Sequence, residues 1–362
     1  MSRTAIAVLS TENLLHNLQV IKGNLAPKTK VIAMVKANAY GHGLRSVSSR
    51  LDNHIDMLGV ASIDEAQALR KAGVNAPIML AEGVFEPNEL LIASAEKFHV
   101  VFHNESQILW LEKSTLPTPL QSWIKVDTGM GRLGFPADKA KHFHTRLSSC
   151  PQAASSVKIM SHFACSDEVD HPLNQKQIQT FKELTHNING ERSLCNSAAV
   201  FNFPDHHYDY VRPGLALYGI SPIANKSAEE LNLKPVMTLQ TSLISVQMMK
   251  KGASIGYGAR YICPDDMPVG VIAFGYGDGY PITAKDGTPV LVNNTECHLI
   301  GRVSMDMITV DLRRCPQAKV GDPVILWGAG LPLEKVTAHT QNIAWDILTG
   351  VQHRVKFLWT RS

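Results

Sequence analysis

A lysine followed by small residues closes the first strongly apolar stretch of this chain, VIAMVKANAYGHG, where Lys36 precedes Ala37, Asn38, Ala39, Gly41 and Gly43. An ammonium at the end of an apolar run is either a solvated strand terminus or an amine kept for chemistry, and small neighbours permit close backbone approach to a ligand. The placement recurs along the chain. Lys125 and Arg132 fall in and after SWIKVD, His162 closes VKIMSHF, Asn196 and Ser197 close RSLCNS, and Arg212 with Gly214 follows in YVRPG. Singly these have ordinary readings: a satisfied core histidine, an ion-pair arginine, a helix cap. Jointly, an amine, a pair of arginines and a Ser/Asn pair can capture an anion and act on a carbonyl.

The elements that must position them repeat. From about Val31 to Gly219, eight apolar runs alternate with amphipathic segments of helical length: VIAMVK, MLGVA, PIMLA, HVVFH, SWIKVD, VKIMSHF, RSLCNS and YVRPGLALYG. Several are apolar throughout, as strands covered on both faces are. Helix signals lie between them. In SIDEAQALRKAG, Ser62 and Glu65 form a capping box and Gly73 marks the stop; Asn104 starts ESQILWLEK in the same way. The pattern predicts an α/β fold with an N-terminal (β/α)₈ TIM-type barrel over residues 10–232. A doubly wound open sheet is the alternative, but VKANAYGHG does not match its G-x-G-x-x-G turn. Residues 233–362 read as a mainly β C-terminal domain with runs such as LQTSLISVQ, PVGVIAFGYG, TPVLVN, CHLIGRV, MITVDL and DPVILWG, and residues 1–9 are expected to pack with it.

On a barrel, all the polar positions above fall at the strand C-terminal ends, where parallel barrels build their sites. The Ser197 and Gly214 region matches the phosphate position after the seventh and eighth strands. A lysine across the rim from a phosphate cradle suggests pyridoxal phosphate, although composition alone does not show it. Metal-assisted hydrolysis is the rival chemistry. It needs several His and Asp/Glu ligands, and His162 with Asp167 is too thin a set, so no metal is expected.

The bulk properties bound the partners. The 362 residues carry a net charge of +3 with both signs interspersed, which excludes a basic stripe for nucleic acid and points to a small molecule. The cysteines at 150, 165, 195, 263, 297 and 315 are scattered, without a disulfide framework. No secretory leader or bilayer-length apolar run is present, so a cytoplasmic protein without membrane partners is expected.

Several long motifs occur together in one order: VIAMVKANAYGHG, KVDTGMGRLGF, SHFACSDEVDHP, CNSAAV, VRPGLALYGI, IGYGARY, FGYGDGYP and GRVSMDM. Over nearly the whole chain the sequence resembles the alanine racemase family, pyridoxal-phosphate enzymes built as a barrel plus a β domain. The resemblance implies two-base interconversion of L- and D-alanine, supplying D-alanine for peptidoglycan. Lys36 would hold the cofactor and serve as the base for D-alanine, and Tyr257, from the partner subunit of a homodimer with shared active sites, as the base for L-alanine. Tyr40, Ser197, Gly214 and the backbone of Leu215 would hold the phosphate, with Asn196 in the same contact set. Arg212 would face the pyridine nitrogen and keep it unprotonated, and His162 would orient Tyr257. Arg132 and the backbone of Met305 would hold the substrate carboxylate. Asp167, Tyr276, Arg302 and Asp306 would line the substrate access region, and Lys125 matches a position carbamylated in some members, where it braces Arg132.

Two positions depart from the family pattern: Ile282, where many relatives have Arg, and His353, where some have Tyr near the phosphate. They put the charge of the access region and one outer cofactor contact in question while leaving both bases. A racemase of broader range, acting on serine, lysine or arginine, would use the same bases. A barrel-plus-β decarboxylase of basic amino acids would instead carry a cysteine motif in the second domain. A non-catalytic pyridoxal-phosphate carrier would have no need of Tyr257.

Overall fold

The eight apolar runs become short strands in the computed structural model, which describes residues 4–186 and 188–360. They are Lys30–Met34, Met57–Val60, Ile78–Leu80, His99–Phe102, Gln121–Asp127, Lys158–Met160, Arg192–Asn196 and Tyr210–Arg212. Each pairs in parallel with the next. The eighth returns to the first through Tyr210–Lys30 and Val211–Val31, so the sheet closes. Closure excludes the open doubly wound alternative. A helix follows each of the first seven strands, and Ile32, Met34, Met57, Met79, Val101, Trp123, Met160 and Tyr210 fill the interior. At the strand N-terminal ends Glu191 draws in Lys30 at 2.9 Å and Lys158 at 3.3 Å, neutralising lysines at the floor of the barrel.

Local chemistry sets the helix starts. The side chain of Ser62 accepts the Glu65 N–H ahead of Ile63–Lys71, and that of Asn104 accepts the Gln107 N–H ahead of Glu105–Lys113. The capping box at Ser62 is only half formed. The Glu65 carboxylate does not return to the cap but reaches elsewhere, as described below.

The six β-branched runs after residue 232 also form strands: Met237–Met249, Met267–Ile272, Pro289–Val292, Thr295–Leu299, Ile308–Asp311 and Pro323–Trp327. They pair antiparallel in a closed ring, because the long first strand bonds Pro323–Trp327 with its first half and Met267–Ile272 with its second. Ile6–Ser10 adds to the same strand and pairs in parallel with Lys356–Thr360. By its contacts the chain forms two units, one of Leu18–Leu217 with Pro222–Asn225, the other of the chain up to Asn17, Tyr218–Ser221 and everything from Lys226 onward. Residues 1–3, 187 and 361–362 of the expected domain ranges lie outside the described residues.

The loop KVDTGMGRLGF is shaped by one carboxylate and its glycines. Asp127 accepts the N–H groups of Gly129, Met130 and Gly131, and Phe135–Pro136 pairs back onto Val126–Asp127. Gly134 has φ +129°, and a Cβ there would stand 2.6 Å from the Asp127 nitrogen; Gly131, at φ +69°, faces open space. Both conformations favour glycine, but only one is also a steric contact. Gly134→Ala should therefore lower unfolding stability by about 2–4 kcal/mol in urea titration, against about 1 kcal/mol for Gly131→Ala. Equal losses would show that φ alone sets the requirement.

Candidate active site

Lys36 lies two residues beyond the first strand, at the start of a turn of unusual hand. The next four residues, Ala37, Asn38, Ala39 and Tyr40, have φ of 53°, 55°, 54° and 51°. An L-residue in the left-handed region costs about 1–2 kcal/mol, with asparagine tolerating it best. Four in succession must be held from outside. Within the segment the turn is closed by Ala39 N–H to Val35 O at 2.8 Å, Gly43 N–H to Asn38 O at 2.9 Å, and Leu44 N–H to the Asn38 side chain at 2.8 Å.

The long-range tie is Glu65. One carboxylate oxygen accepts the Ala37 N–H at 2.8 Å and the other the Ala61 N–H at 2.8 Å, so the residue after Lys36 is stapled to the end of the second strand. Sequence reasoning assigned Glu65 to a cap and missed this role. The S-x-x-E signal was present in the sequence, but the second partner is distant along the chain. The Lys36 amine lies 3.4 Å from Glu82, the carboxylate nearest this end of the site.

Arg212 is 4% exposed. Its Nη1 donates to the Ser193 hydroxyl, and its Nη2 reaches the Ser161 and Leu194 carbonyls and His162 Nδ1, the last at 3.2 Å. Burial pulls the guanidinium down to about 10, so it remains charged at neutral pH. His162 is held well below the usual imidazole range, by burial first and then by the charges of Arg212, Lys125, Arg132 and Lys36. It is thus a neutral imidazole accepting at Nδ1, with Nε2 as the protonated nitrogen. Lys125, 6% exposed, is pushed down to about 8 by burial, then by Arg212, Arg132 and Lys36, with Glu82 opposing.

Just past the eighth strand, which pairs with the strand leading to Lys36, the Gly214 N–H at 2.8 Å and the Ala216 N–H at 3.4 Å donate to the Ser197 hydroxyl. A Cβ on Gly214 would stand 2.3 Å from the Tyr40 hydroxyl, so the glycine is what lets that phenol sit beside Ser197. With both lone pairs engaged, the Ser197 proton is left to donate outward. Leu215 begins the short turn Leu215–Tyr218 behind this cradle. Asn196 is the cap of helix Ser197–Asn202: its side-chain oxygen accepts the Ala199 N–H and the Ser166 hydroxyl. Arg132 is exposed on the loop shaped by Asp127, and Asp167 is exposed.

The remaining expected site residues belong to the other unit. Tyr257 lies on a short turn between Gly256 and Gly258 and is 70% exposed. Tyr276, Arg302 and Met305 are exposed and Asp306 is intermediate; Ile282 and His353 are also exposed. Among the described residues no helix is long and apolar enough to cross a membrane.

The family profile for "Alanine racemase, N-terminal domain" matches residues 9–222, and that for "Alanine racemase, C-terminal domain" matches residues 236–359. The chain is 45% identical over 359 residues to alanine racemase of Vibrio parahaemolyticus, covering 99% of this chain and all of that one. It is 44% identical over 354 residues to the biosynthetic alanine racemase of Escherichia coli, covering 98% of each. Among solved structures, biosynthetic alanine racemase from Pseudomonas aeruginosa superposes with a TM-score of 0.96 at 41% identity, over 99% of this chain and 100% of that chain. Alanine racemase from Bartonella henselae with covalently bound pyridoxal phosphate superposes at 0.87 with 29% identity, over 99% of both chains.

The Glu65 tie is testable without any ligand. Glu65→Ala leaves two backbone N–H groups without their acceptor and should cost about 1–3 kcal/mol. Amide exchange should accelerate in the Lys36–Gly43 peptide and stay unchanged at Ile78–Leu80. Unaltered exchange at Lys36–Gly43 would show that the left-handed turn holds itself.

Proposed function

This chain belongs to the alanine racemase family and interconverts L- and D-alanine with pyridoxal 5′-phosphate, and we propose that Lys36 and Tyr257 are its two bases. The observation that carries this reading is the barrel rim itself, where an amine on a strained, stapled turn neighbours a cradle suited to an anion. D-Alanine made in this way would feed peptidoglycan in a bacterial cytoplasm.

The residues at the rim suit the cofactor. Ser197 has a hydroxyl proton to give a phosphate oxygen, and Gly214 and Leu215 bring backbone alongside it. The Arg212 Nε–H makes no hydrogen bond among the described residues and is available to a ring nitrogen, while Nη1 and Nη2 bond to the protein. A donor that never gives up its proton keeps that nitrogen unprotonated. When bound, pyridoxal phosphate supplies an electron-withdrawing ring that stabilises negative charge at the substrate α-carbon. Lys36 takes or gives the α-proton on one face and the Tyr257 hydroxyl on the other. His162, neutral and fixed by Arg212, orients that tyrosine through its other ring nitrogen. Arg132 and the Met305 N–H hold the substrate carboxylate, and Asp167, Tyr276, Arg302 and Asp306 line its access.

We further propose a homodimer in which Tyr257 comes from the partner. Support comes from the second unit, which leaves Tyr257 70% exposed and also exposes Ile262, Ile282, Met305 and Met307. Lys125 is the proposed carbamylation site. Among the described residues nothing hydrogen-bonds its amine, and with a pKa of about 8 roughly half is neutral at pH 8 and able to attack carbon dioxide, forming the N–C bond and releasing a proton.

Two measurements test these assignments. With ¹³C-labelled bicarbonate, a carbamate carbon signal should grow from pH 7 to pH 9, as the amine loses its proton, and vanish in Lys125→Arg. A missing signal in the parent protein across that range would leave Lys125 as an unmodified amine and overturn the carbamylation assignment. Lys36→Ala and Tyr257→Phe should each be nearly inactive, yet mixing them in equal amounts should make about half the dimers mixed and restore about a quarter of the sites. Verified subunit exchange without recovered activity would place both bases in one chain.

A further inference from the structure

Two turns of the C-terminal unit carry residues given roles above. One is Tyr276–Asp278; the other runs through Met305 and Asp306 and closes with Ser304 N–H to Met307 O at 3.0 Å. Backbone bonds join them: Tyr276 N–H to Ser304 O at 3.1 Å and Gly277 N–H to Met305 O at 2.8 Å. A third tie comes from far along the chain. Arg354 Nε donates to Asp278 Oδ1 at 2.6 Å, and its Nη2 donates to Asp306 Oδ1. The Asp278 carboxylate is fully buried, and its other oxygen accepts the Gly275 N–H at 2.9 Å. The Asp306 side chain is 44% exposed.

The packing around this bridge is close. A Cβ on Gly277 would stand 3.0 Å from both the Arg354 guanidinium and the Met305 carbonyl, so the three groups meet with no space between them. A guanidinium presents a rigid planar fork that can hold two carboxylates at a set separation, whereas an ammonium is a point charge. The buried arm is obligatory, since Asp278 without its cation would be an uncompensated buried charge. The outer arm has no such requirement. What it adds is a fixed position for the turn that presents Met305.

We propose that Arg354 is a positioning residue for the substrate carboxylate: by bridging Asp278 to Asp306 it locks the Met305 turn against the Tyr276 turn and so fixes the Met305 N–H. This rests on the reading that the Met305 backbone binds that carboxylate. The adjacent His353, one of the departures from the family pattern, is exposed and takes no part in the bridge.

The test uses the holoenzyme in three variants. Asp306→Ala removes the outer arm and leaves the buried Arg354–Asp278 pair intact; Arg354→Ala cuts both, and Arg354→Lys keeps the charge without the fork. Asp306→Ala should speed amide exchange in peptides covering 303–308 and raise KM for both alanine enantiomers about five- to tenfold, with kcat within about twofold. Arg354→Lys should recover melting temperature relative to Arg354→Ala but not KM, and adding Asp306→Ala to Arg354→Ala should raise KM no further. Unchanged exchange in Asp306→Ala and Arg354→Ala overturns the bridge. Faster exchange with unchanged KM overturns the Met305 reading on which the proposal rests.

Discussion

The barrel mouth is organised around one buried permanent charge. Arg212, at 4% exposure, cannot shed its proton to escape burial, so its surroundings must supply acceptors. They come from two strands, the Ser161 carbonyl and His162 after the sixth and Ser193 and Leu194 on the seventh, while Arg212 itself lies on the eighth. These bonds stitch together the strands that carry the cradle. Burial lowers both His162 and Lys125, and the same charge adds to the lowering of each, so one guanidinium contributes to its neighbours' protonation states as well as to their geometry.

Strain is concentrated where chemistry is expected. Four left-handed residues after Lys36 store several kcal/mol that tertiary contacts must offset. The Glu65 carboxylate does so by taking the Ala37 N–H, and Tyr40, the last of the four, ends with its hydroxyl against Gly214. The turn therefore carries both Lys36 and one wall of the anion cradle. A right-handed helix begun at Lys36 would send Tyr40 elsewhere, so the hand of the turn and the composition of the cradle are a single requirement.

The second unit uses a different device for the same purpose. Its closed antiparallel ring leaves turns at its ends, and turns are mobile unless tied. Backbone bonds and the Arg354 bridge tie the Tyr276 and Met305 turns together. Arg354 lies only two residues before the terminal strand Lys356–Thr360, which is paired to Ile6–Ser10, so the bridge is anchored in the sheet rather than in another loop.

Much of this was legible in the sequence. All eight barrel runs and all six later β runs form strands, because covered parallel strands and short β-branched runs have hydrophobic patterns that survive without knowledge of partners. Lys36, Arg212, Ser197 and Gly214 stood out because chemistry-bearing types interrupted apolar runs at one end. What the sequence did not disclose is the set of contacts made across long separations. The Ser62–Glu65 spacing announced a cap, yet the carboxylate went to Ala37, since a local motif cannot reveal a competing donor brought close by strand pairing. The left-handed path through Ala37–Tyr40 runs against the propensity of those residues, and only surrounding contacts can impose it. No signal in the sequence singled out Arg354, which folding sets between two aspartates 76 and 48 residues before it in the chain. Residue types and periods determined the strands and the candidate chemistry; tertiary structure decided which donor meets which acceptor, because hydrogen bonds and ion pairs act over a few ångströms of space and not along the chain.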